Sequence, residues 1–324
     1  MKVIIPVAGE GTRLKPHTLT RPKPLLDCAG KTIIDHVLKP LESIVVDELI
    51  FVIGFLGEQI EEYILKNYDY KCRFIKQEEL LGLGYALNLA MKEMENSELL
   101  IILGDTIVDC DFKSFTKIGD YVLGVRQVDD PHRFGIAELN GDYIVGLEEK
   151  PVTPKSNLAL IGLYYFKESN LLKEILQKHI NSGKLTSGEI QFTDALQGML
   201  SNGIEFTPYE LHQWYDCGTR KTLLETNKVY LKSNAITDID LPGTKIVPPV
   251  YISNTAEVSN SKIGPNVSIG EKVIVENSEL SDSIISDEAI IKNSRLHNSI
   301  IGRKTQVENV EQELDIGDEQ KIII

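Results

Sequence analysis

Four charged side chains lie in rigid loops or just after predicted strands, where such groups can bind phosphate or a metal ion. Arg13 ends a glycine-containing turn over 8–13 (AGEGTR), which follows the apolar segment 2–7. Glycines let the backbone approach an anion, and successive N–H groups with an arginine fork can bind phosphate oxygens. The turn matches neither G-x-x-x-x-G-K-[ST] nor a clean G-x-G-x-x-G, which disfavours a P-loop or dinucleotide fold. Taken alone, it could equally be a plain strand–helix connection.

The other three candidates are a lysine and two aspartates. Lys23 lies between two prolines, which stiffen the backbone around it. Asp105 follows the apolar segment 98–103, and Asp216 lies in the segment 214–219 (WYDCGT). Mg²⁺ is typically held by one or two carboxylates together with substrate phosphate oxygens. Each aspartate alone could equally form a turn or cap a helix, so only the pair suggests a metal site.

The order of these residues resembles a known family. Residues 8–26 read A-G-x-G-T-R-L-x-P-x-T-x-x-x-P-K-P-L-L, which is similar to the signature of sugar-1-phosphate nucleotidyltransferases. The resemblance covers nearly the whole chain, because further motifs follow in family order. It implies catalytic roles for Arg13 and Lys23, and Mg²⁺ binding by Asp105 and Asp216. It also implies that the nucleotide is bound by Ala8, Gly9, Glu10, Gly11, Thr12, Gln77 and Gly82.

A sugar-phosphate site is implied further along the chain. Residues 130–135 (DPHRFG) and 147–151 (LEEKP) resemble the family's sugar-side motifs. By this resemblance, Gly135 packs against the sugar, Glu149 accepts hydrogen bonds from its hydroxyls, and Lys150 neutralises its phosphate. The segment 158–164, which contains Leu160, resembles the strand that closes the pocket. Without these surroundings, Glu-Glu-Lys would be a solvated charge patch.

Two further groups of polar residues are expected to be structural. Thr193 and Asp194 lie in a segment that resembles the family's G-E-x-x-x-T-D motif, where they would support the fold rather than the chemistry. The six histidines are scattered along the chain, and no Ser-His-Asp or Cys-His arrangement is indicated. His17, beside the Arg13 turn, is the histidine closest in sequence to the candidate site.

The first part of the chain alternates between apolar strands and helical patterns. Such alternation predicts an α/β fold with a Rossmann-like mixed, mostly parallel sheet and helices on both faces. Ligands bind beyond the carboxyl ends of such strands, where the motifs lie. From about 120 to 166 the chain becomes rich in strands, and helical patterns return at 169–181, 190–201 and 219–232. The earlier predictions are strands over 2–7, 48–53, 72–76 and 98–103, and helices over 32–43, 57–67 and 83–95.

Beyond residue 250 the period of the apolar residues changes to five or six. This period fits neither a helix nor a hairpin meander, but it is typical of a hexapeptide β-solenoid. We therefore predict a catalytic domain over 1–235 and a β-solenoid over 236–324 of about three triangular coils; the family resemblance implies a left-handed β-helix. The inward-facing residues are expected to be Ile252, Val258, Ile263, Ile269, Val275, Leu280, Ile285, Ile291, Leu296, Ile301 and Val307.

Composition and charge argue against a nucleic-acid binder and a membrane-spanning protein. The chain has 324 residues and a formal net charge of −14, so it lacks the basic surface of a nucleic-acid binder. It has no apolar run long enough to cross a membrane and no signal-peptide pattern. Its four cysteines form no C-x-x-C pair, which fits reduced thiols in a cytoplasmic protein.

The resemblance implies an enzyme that joins a nucleoside triphosphate to a sugar 1-phosphate and releases pyrophosphate. dTTP or UTP with glucose 1-phosphate is the favoured pair, and GTP with mannose 1-phosphate is the alternative. A catalytically silent regulatory subunit and a solenoid with acyltransferase activity also stay open. The apolar solenoid face suggests a homo-oligomer.

Overall fold

The computed structural model describes residues 1–234 and 241–324, which form two compact units. The first unit comprises Met1–Gly9 and Val37–Trp214, and the second comprises Glu10–His36 and Tyr215–Ile324. The segment that carries Arg13 and Lys23 therefore packs with the C-terminal part of the chain. The predicted domain boundary at 235/236 lies outside the described residues and stays a prediction.

Helices and short 3₁₀ turns connect the strands of the first unit and flank the C-terminal strands. The 3₁₀ turns cover Thr12–Leu14, His17–Leu19, Lys23–Leu25, Lys39–Ser43 and Pro131–Arg133. The described α-helices are α1 (Ile33–Leu38), α2 (Gly57–Asn67), α3 (Leu83–Met91), α4 (Phe112–Phe115), α5 (Asn170–Ser182), α6 (Phe192–Ser201) and α7 (Arg220–Asn234).

The strands of the first 216 residues are mostly long and apolar. They are β1 (Lys2–Val7), β2 (Asp27–Cys28), β3 (Lys31–Thr32), β4 (Glu48–Ile53), β5 (Cys72–Lys76), β6 (Leu99–Ile102), β7 (Thr106–Val108), β8 (Tyr121–Gln127), β9 (Gly135–Asn140), β10 (Tyr143–Glu149), β11 (Leu158–Phe166), β12 (Thr207–Glu210) and β13 (Trp214–Asp216).

A mixed sheet of nine described strands forms the centre of the first unit. Its main path runs β10-β9-β11-β6-β1-β4-β5, with β8 beside β11 and β12 beside β8. Strands β1, β4, β5 and β6 pair in parallel, whereas β11 runs antiparallel to β6, β8 and β9. All nine residues of β11 are buried, as expected for a strand in the middle of a covered sheet. This is the predicted Rossmann-like α/β fold.

The C-terminal strands are only two or three residues long. They are β14 (Lys245–Ile246), β15 (Val250–Ile252), β16 (Glu257–Ser259), β17 (Lys262–Ile263), β18 (Val267–Ile269), β19 (Ile274–Glu276), β20 (Glu279–Ser281), β21 (Ile284–Ile285), β22 (Ile290–Lys292), β23 (Arg295–His297), β24 (Ile300–Ile301), β25 (Gln306–Glu308), β26 (Asp315–Ile316) and β27 (Lys321–Ile323).

These short strands build a β-solenoid. In the described part of the chain they form three parallel sheets of four, five and five strands, and strands three apart in sequence are neighbours in a sheet, except that β26 follows β24 and β27 follows β25. The eleven predicted inward residues are all at most 5% exposed. The prediction of about three coils was too small, because β14 before them and β26 and β27 after them extend the stack. The acidic C-terminal tail therefore completes a coil.

Asn-Ser pairs form one corner of the solenoid. Asn260, Asn277 and Asn293 adopt left-handed backbone angles, which Asn tolerates better than most residues. The buried hydroxyls that follow them link successive coils, since Ser278 N donates to Ser261 Oγ at 3.1 Å and Ser294 N donates to Ser278 Oγ at 3.1 Å. The hydroxyls of Ser261 and Ser278 thereby accept a hydrogen bond from the next coil. None of the helices within 1–234 and 241–324 has the length and apolar character needed to cross a bilayer.

Candidate active site

The turn after β1 places Lys23 against Gly11. Gly11 has φ 64°, in the left-handed region that favours glycine, and its carbonyl accepts hydrogen bonds from Leu14 N and Thr18 Oγ1 at 2.9 Å. A Cβ built at Gly11 would lie 3.1 Å from Lys23 Cβ. Lys23 is only 8% exposed, although its side chain is charged. The structure therefore brings together two of the predicted residues, which are far apart in the motif.

Arg13 and Asp216 meet at Gly218. A Cβ at Gly218 would lie 2.7 Å from Asp216 Oδ1 and 2.8 Å from Arg13 Nη2, so a side chain here would displace both groups. The amide of Thr222 donates to Thr219 Oγ1 at 3.2 Å, so Thr219 provides the capping oxygen at the start of α7. The alternative role of Asp216 as that helix cap is thus unnecessary.

The first unit holds Ala8, Gly9 and Asp105 near the ends of neighbouring strands. Ala8 is buried at the end of β1, whereas Gly9 is exposed. The amide of Gly104 donates to the carbonyl of Pro6 at 3.3 Å, which places Asp105 just beyond β6 and beside the β1 terminus. Glu10 and Thr12, which continue the turn in the second unit, are exposed. Open backbone at the carboxyl end of a parallel strand suits ligand binding.

Gln77 supports the loop that leads to Gly82. Its side chain is 6% exposed, and its Nε2 donates to the carbonyl of Glu79 at 2.9 Å. Gly82 precedes α3, and the backbone around it is tied to the segment before α6 by Ile190 N, which donates to Leu81 O at 2.8 Å. These contacts fix the loop. Base reading by Gln77 stays a proposal.

The predicted sugar-side residues form one cluster in the first unit. Strands β9 and β10 pair Gly135 with Glu149, and Thr193 Oγ1 donates to Glu149 Oε2 at 2.6 Å. A Cβ at Gly135 would lie 2.6 Å from Thr193 Oγ1, 3.0 Å from Glu149 Oε2 and 3.2 Å from Leu160 Cδ1. Any side chain at position 135 would therefore collide with Thr193 and Glu149, and glycine avoids this clash.

Lys150 lies at the edge of this cluster. It has a left-handed φ of 44°, its amide donates to Phe134 O at 2.9 Å, and its Nζ lies 3.6 Å from Glu149 Oε1. A non-glycine residue in this region carries backbone strain, which often marks a functional site. Burial, together with the nearby Glu149 charge, raises the pKa of Tyr164, so this phenol stays neutral beside the cluster.

Two family models match this chain. The model described as "Nucleotidyl transferase" matches residues 2–233, and a second, described as "GMPPB C-terminal domain", matches residues 246–315. This chain belongs to the nucleotidyl transferase family.

Relatives of this nucleotidyl transferase include both short and long proteins. The "Bifunctional protein GlmU" of Methanocaldococcus jannaschii is 36% identical over 244 residues, which cover 74% of this chain and 56% of that protein. The chain thus spans little more than half of such relatives. The "Glucose-1-phosphate thymidylyltransferase" of Streptomyces griseus is 28% identical over 313 residues, covering 88% of this chain and 87% of that protein.

Solved structures share the fold of this nucleotidyl transferase. A putative glucose-1-phosphate thymidylyltransferase from Bacillus anthracis, in complex with a sucrose, aligns with a TM-score of 0.62 and 27% identity. The alignment covers 74% of this chain and 98% of that structure. A UDP-glucose pyrophosphorylase complexed with UDP-glucose aligns with a TM-score of 0.63 over 72% of this chain and 98% of its own; at 24% identity it supports the fold alone.

The donor chemistry of the nucleotidyl transferase fits Mg²⁺. Asp105 and Asp216 offer carboxylate oxygens, the ligands that Mg²⁺ prefers, and both are partly exposed. Among the described residues, no three His, Cys, Asp or Glu side chains are grouped closely enough to hold a metal ion by themselves.

Two further residues lie against the predicted site residues. Thr193, which is expected to support the fold, donates directly to Glu149 and borders Gly135. No local signal reveals this contact, because it joins α6 to the β9–β10 hairpin. Gly218 also borders Arg13 and Asp216. Its position in the 214–219 motif, two residues after Asp216, is the sequence signal that could have indicated this contact.

Proposed function

We propose that this chain transfers a nucleotidyl group from a nucleoside triphosphate to a sugar 1-phosphate. The observation that carries the proposal is the meeting of Arg13 and Asp216 at Gly218, next to a turn that also holds Lys23. A cation and a carboxylate at a glycine turn suit a polyphosphate with its metal ion. The Gly135–Glu149–Thr193 cluster adds the acceptor oxygens that sugar hydroxyls need.

The reaction needs no general base on the protein. An oxygen of the sugar phosphate attacks the α-phosphorus, the new P–O bond forms, and the bond to the β-phosphate breaks, so pyrophosphate leaves. A phosphate monoester has a second pKa of about 6, so the nucleophile is already largely anionic at pH 7. Catalysis then rests on positioning and on neutralising charge.

Each cation has a defined part in this proposal. Arg13 binds the triphosphate and stabilises the leaving pyrophosphate, whereas Lys23 bridges the α-phosphate and the attacking phosphate. Lys150 holds the sugar phosphate beside Glu149, which orients the sugar. Asp105 and Asp216 would hold Mg²⁺, and the ion would offset phosphate charge when bound.

Glucose 1-phosphate with dTTP or UTP is the proposed substrate pair. The thymidylyltransferase of Streptomyces griseus supports it, because the match extends over most of both chains. GTP with mannose 1-phosphate is the alternative. The four free cysteines support a reducing, cytoplasmic setting, and a homo-oligomer stays part of the proposal.

The test is pyrophosphate release with Mg²⁺, crossing dTTP, UTP, GTP, ATP and CTP with glucose, mannose and N-acetylglucosamine 1-phosphates. We expect turnover with dTTP or UTP and glucose 1-phosphate. Turnover only with GTP and mannose 1-phosphate would keep the reaction and overturn the substrate pair. No turnover with any pair would favour a silent regulatory subunit. Acetyl-CoA consumption with an amino-sugar phosphate would instead indicate acyl transfer.

A further inference from the structure

The segment Glu10–His36 carries two catalytic candidates but has little regular structure of its own. Between Glu10 and Leu26 it contains three 3₁₀ turns of three residues each, and β2 and β3 add a two-residue hairpin. Single 3₁₀ turns and short hairpins are marginal without packing partners. Because Arg13 and Lys23 must be held accurately to act on phosphate, other contacts have to fix this segment.

The final coil of the solenoid contacts this segment between Arg13 and Lys23. His17 Nε2 lies 2.8 Å from Asp315 Oδ1, and Thr20 Oγ1 donates to Asp318 Oδ2 at 2.7 Å. His17 is 2% exposed, whereas Asp315 lies on the exposed side of the coil. A Cβ built at Gly317 would lie 3.1 Å from Pro16 Cβ, so the backbones are also close.

Arg21 adds a buried charged link two residues before Lys23. It is 4% exposed, and its guanidinium donates to Asp27 Oδ2 at 3.0 Å and to Ser286 Oγ at 3.1 Å. Its Nε lies 3.7 Å from Asp318 Oδ2. A buried cation is tolerated only with such partners, so loss of one of them is costly. Arg21 therefore links the segment internally, through Asp27, and also contacts two coils of the solenoid, through Ser286 and Asp318.

Asp318 is the residue where these links converge. Its Oδ2 accepts from Thr20 and faces Arg21, while its Oδ1 accepts from the amide of Arg303 at 2.7 Å. One carboxylate thus joins the backbone of one coil to the segment that carries Arg13 and Lys23. Asp315, on β26, contacts His17, and the same Oδ1 lies 3.7 Å from Arg220 Nε.

We propose that Asp315 and Asp318 are positioning residues, which hold His17, Thr20 and Arg21 so that Arg13 and Lys23 keep their places for the triphosphate. This inference rests on the proposed function for its catalytic consequence. It gives the acidic final coil a role: the coil orients a substrate-binding segment and touches no substrate itself.

The test compares Asp318→Ala with Glu276→Gln in the full chain. Glu276 pairs with Lys292 at 2.9 Å within the solenoid, so its variant removes a solenoid carboxylate that has no such link. For Asp318→Ala we expect kcat/KM to fall about tenfold to a hundredfold, with a higher KM for the triphosphate and an unchanged KM for the sugar phosphate. Amides of residues 12–25 should exchange hydrogen at least about tenfold faster, while those of 250–300 keep their protection.

Equal exchange and equal triphosphate KM in Asp318→Ala and Glu276→Gln would overturn the inference. If Asp318→Ala does not fold, Thr20→Val removes the same hydrogen bond from the other side. This variant should keep the wild-type melting temperature, and the amides of residues 12–25 should still exchange hydrogen faster than in the wild type. Unchanged exchange there would also overturn the inference. If the wild type turns over no substrate pair, the proposed function fails separately, and the exchange comparison still decides whether the coil holds the segment.

Discussion

The phosphate-side and sugar-side groups of the candidate site are held in different ways. The sugar side rests on a β-hairpin in a nine-stranded sheet of the described chain, where backbone pairing sets Gly135 opposite Glu149. The phosphate side rests on short turns whose links are mainly side-chain hydrogen bonds and ion pairs, such as Arg21 with Asp27. Backbone ladders tolerate many side-chain changes, whereas buried charged links depend on single residues.

This difference predicts which kind of substitution affects each side most. Loss of a single charged side chain should affect the phosphate side more, because Arg21 is buried and relies on Asp27 and Asp318. Changes in side-chain shape should affect the sugar side more, since Gly135, Glu149 and Thr193 are in direct contact.

The largest expected effect is on the phosphate side. Lys23→Ala should lower kcat/KM by at least about 10²-fold with the fold intact, the scale of losing one key electrostatic group. The matched control is Lys15→Ala, which removes an exposed lysine from the same segment and should retain nearly full activity. Pyrophosphate release under saturating and limiting triphosphate measures both. Near-normal turnover in Lys23→Ala would remove this residue from the mechanism.

The next largest effect concerns the stability of the phosphate side at low pH, through the Arg21–Asp27 pair. Burial by itself would raise the pKa of Asp27, but the Arg21 charge and hydrogen bonds outweigh it, and the pKa lies below its ordinary 3.8. A depressed carboxyl pKa stabilises the fold above the unfolded value, and this stability is lost as the pH falls below it. Asp27→Asn should therefore cost about 2 kcal/mol at pH 7, the scale of a hydrogen bond to a charged group.

The same variant should show a flatter loss of stability below about pH 4, because it has no carboxyl to protonate at this position. Urea unfolding at several pH values measures the slope. Asp142→Asn, in the exposed turn between β9 and β10, should keep the wild-type slope. Identical acid slopes in wild type and Asp27→Asn would contradict the assignment of acid sensitivity to this pair.

On the sugar side, Thr193→Val should raise the KM for the sugar phosphate about tenfold. The substitution keeps the shape but removes the hydroxyl that donates to Glu149 at 2.6 Å, so the carboxylate loses its orientation. The KM for the triphosphate should not change. Thr193→Ser retains the hydroxyl and should be close to wild type; a similar defect in both variants would indicate a packing effect instead.

Strand bounds and the inward-facing residues of the solenoid could be predicted from local sequence patterns. Three strands, over 2–7, 48–53 and 72–76, have the predicted bounds. The first two are mainly apolar runs, whereas 72–76 (CRFIK) mixes apolar and charged residues. The inward residues of the solenoid were also predicted correctly, since stacking requires one apolar residue at each step. The number of coils was underestimated because the step between Val307 and Ile316 is longer than six residues, although Ile316 and Ile322 stack on Ile301 and Val307.

The contacts between distant segments could not be predicted in the same way. Nothing around Arg21 signals that its partners include Asp318, because tertiary packing brings them together and no spacing records it. The same holds for Thr193 and Glu149. Motifs therefore predict which groups meet the substrate, while the residues that hold those groups became visible only in the structure.

The smallest expected effect tests whether charge on the solenoid matters in general. The Lys292–Glu276 pair is short at 2.9 Å, yet both side chains are about 40% exposed. Water screens such a pair, so Glu276→Gln should change the free energy of unfolding by no more than about 0.5 kcal/mol and leave kcat/KM unchanged. Chemical denaturation alongside Asp318→Ala measures the difference. A large loss from Glu276→Gln would mean that solenoid carboxylates act through the overall charge of the coils, and the special place of Asp318 at the Arg21 link would lose its support.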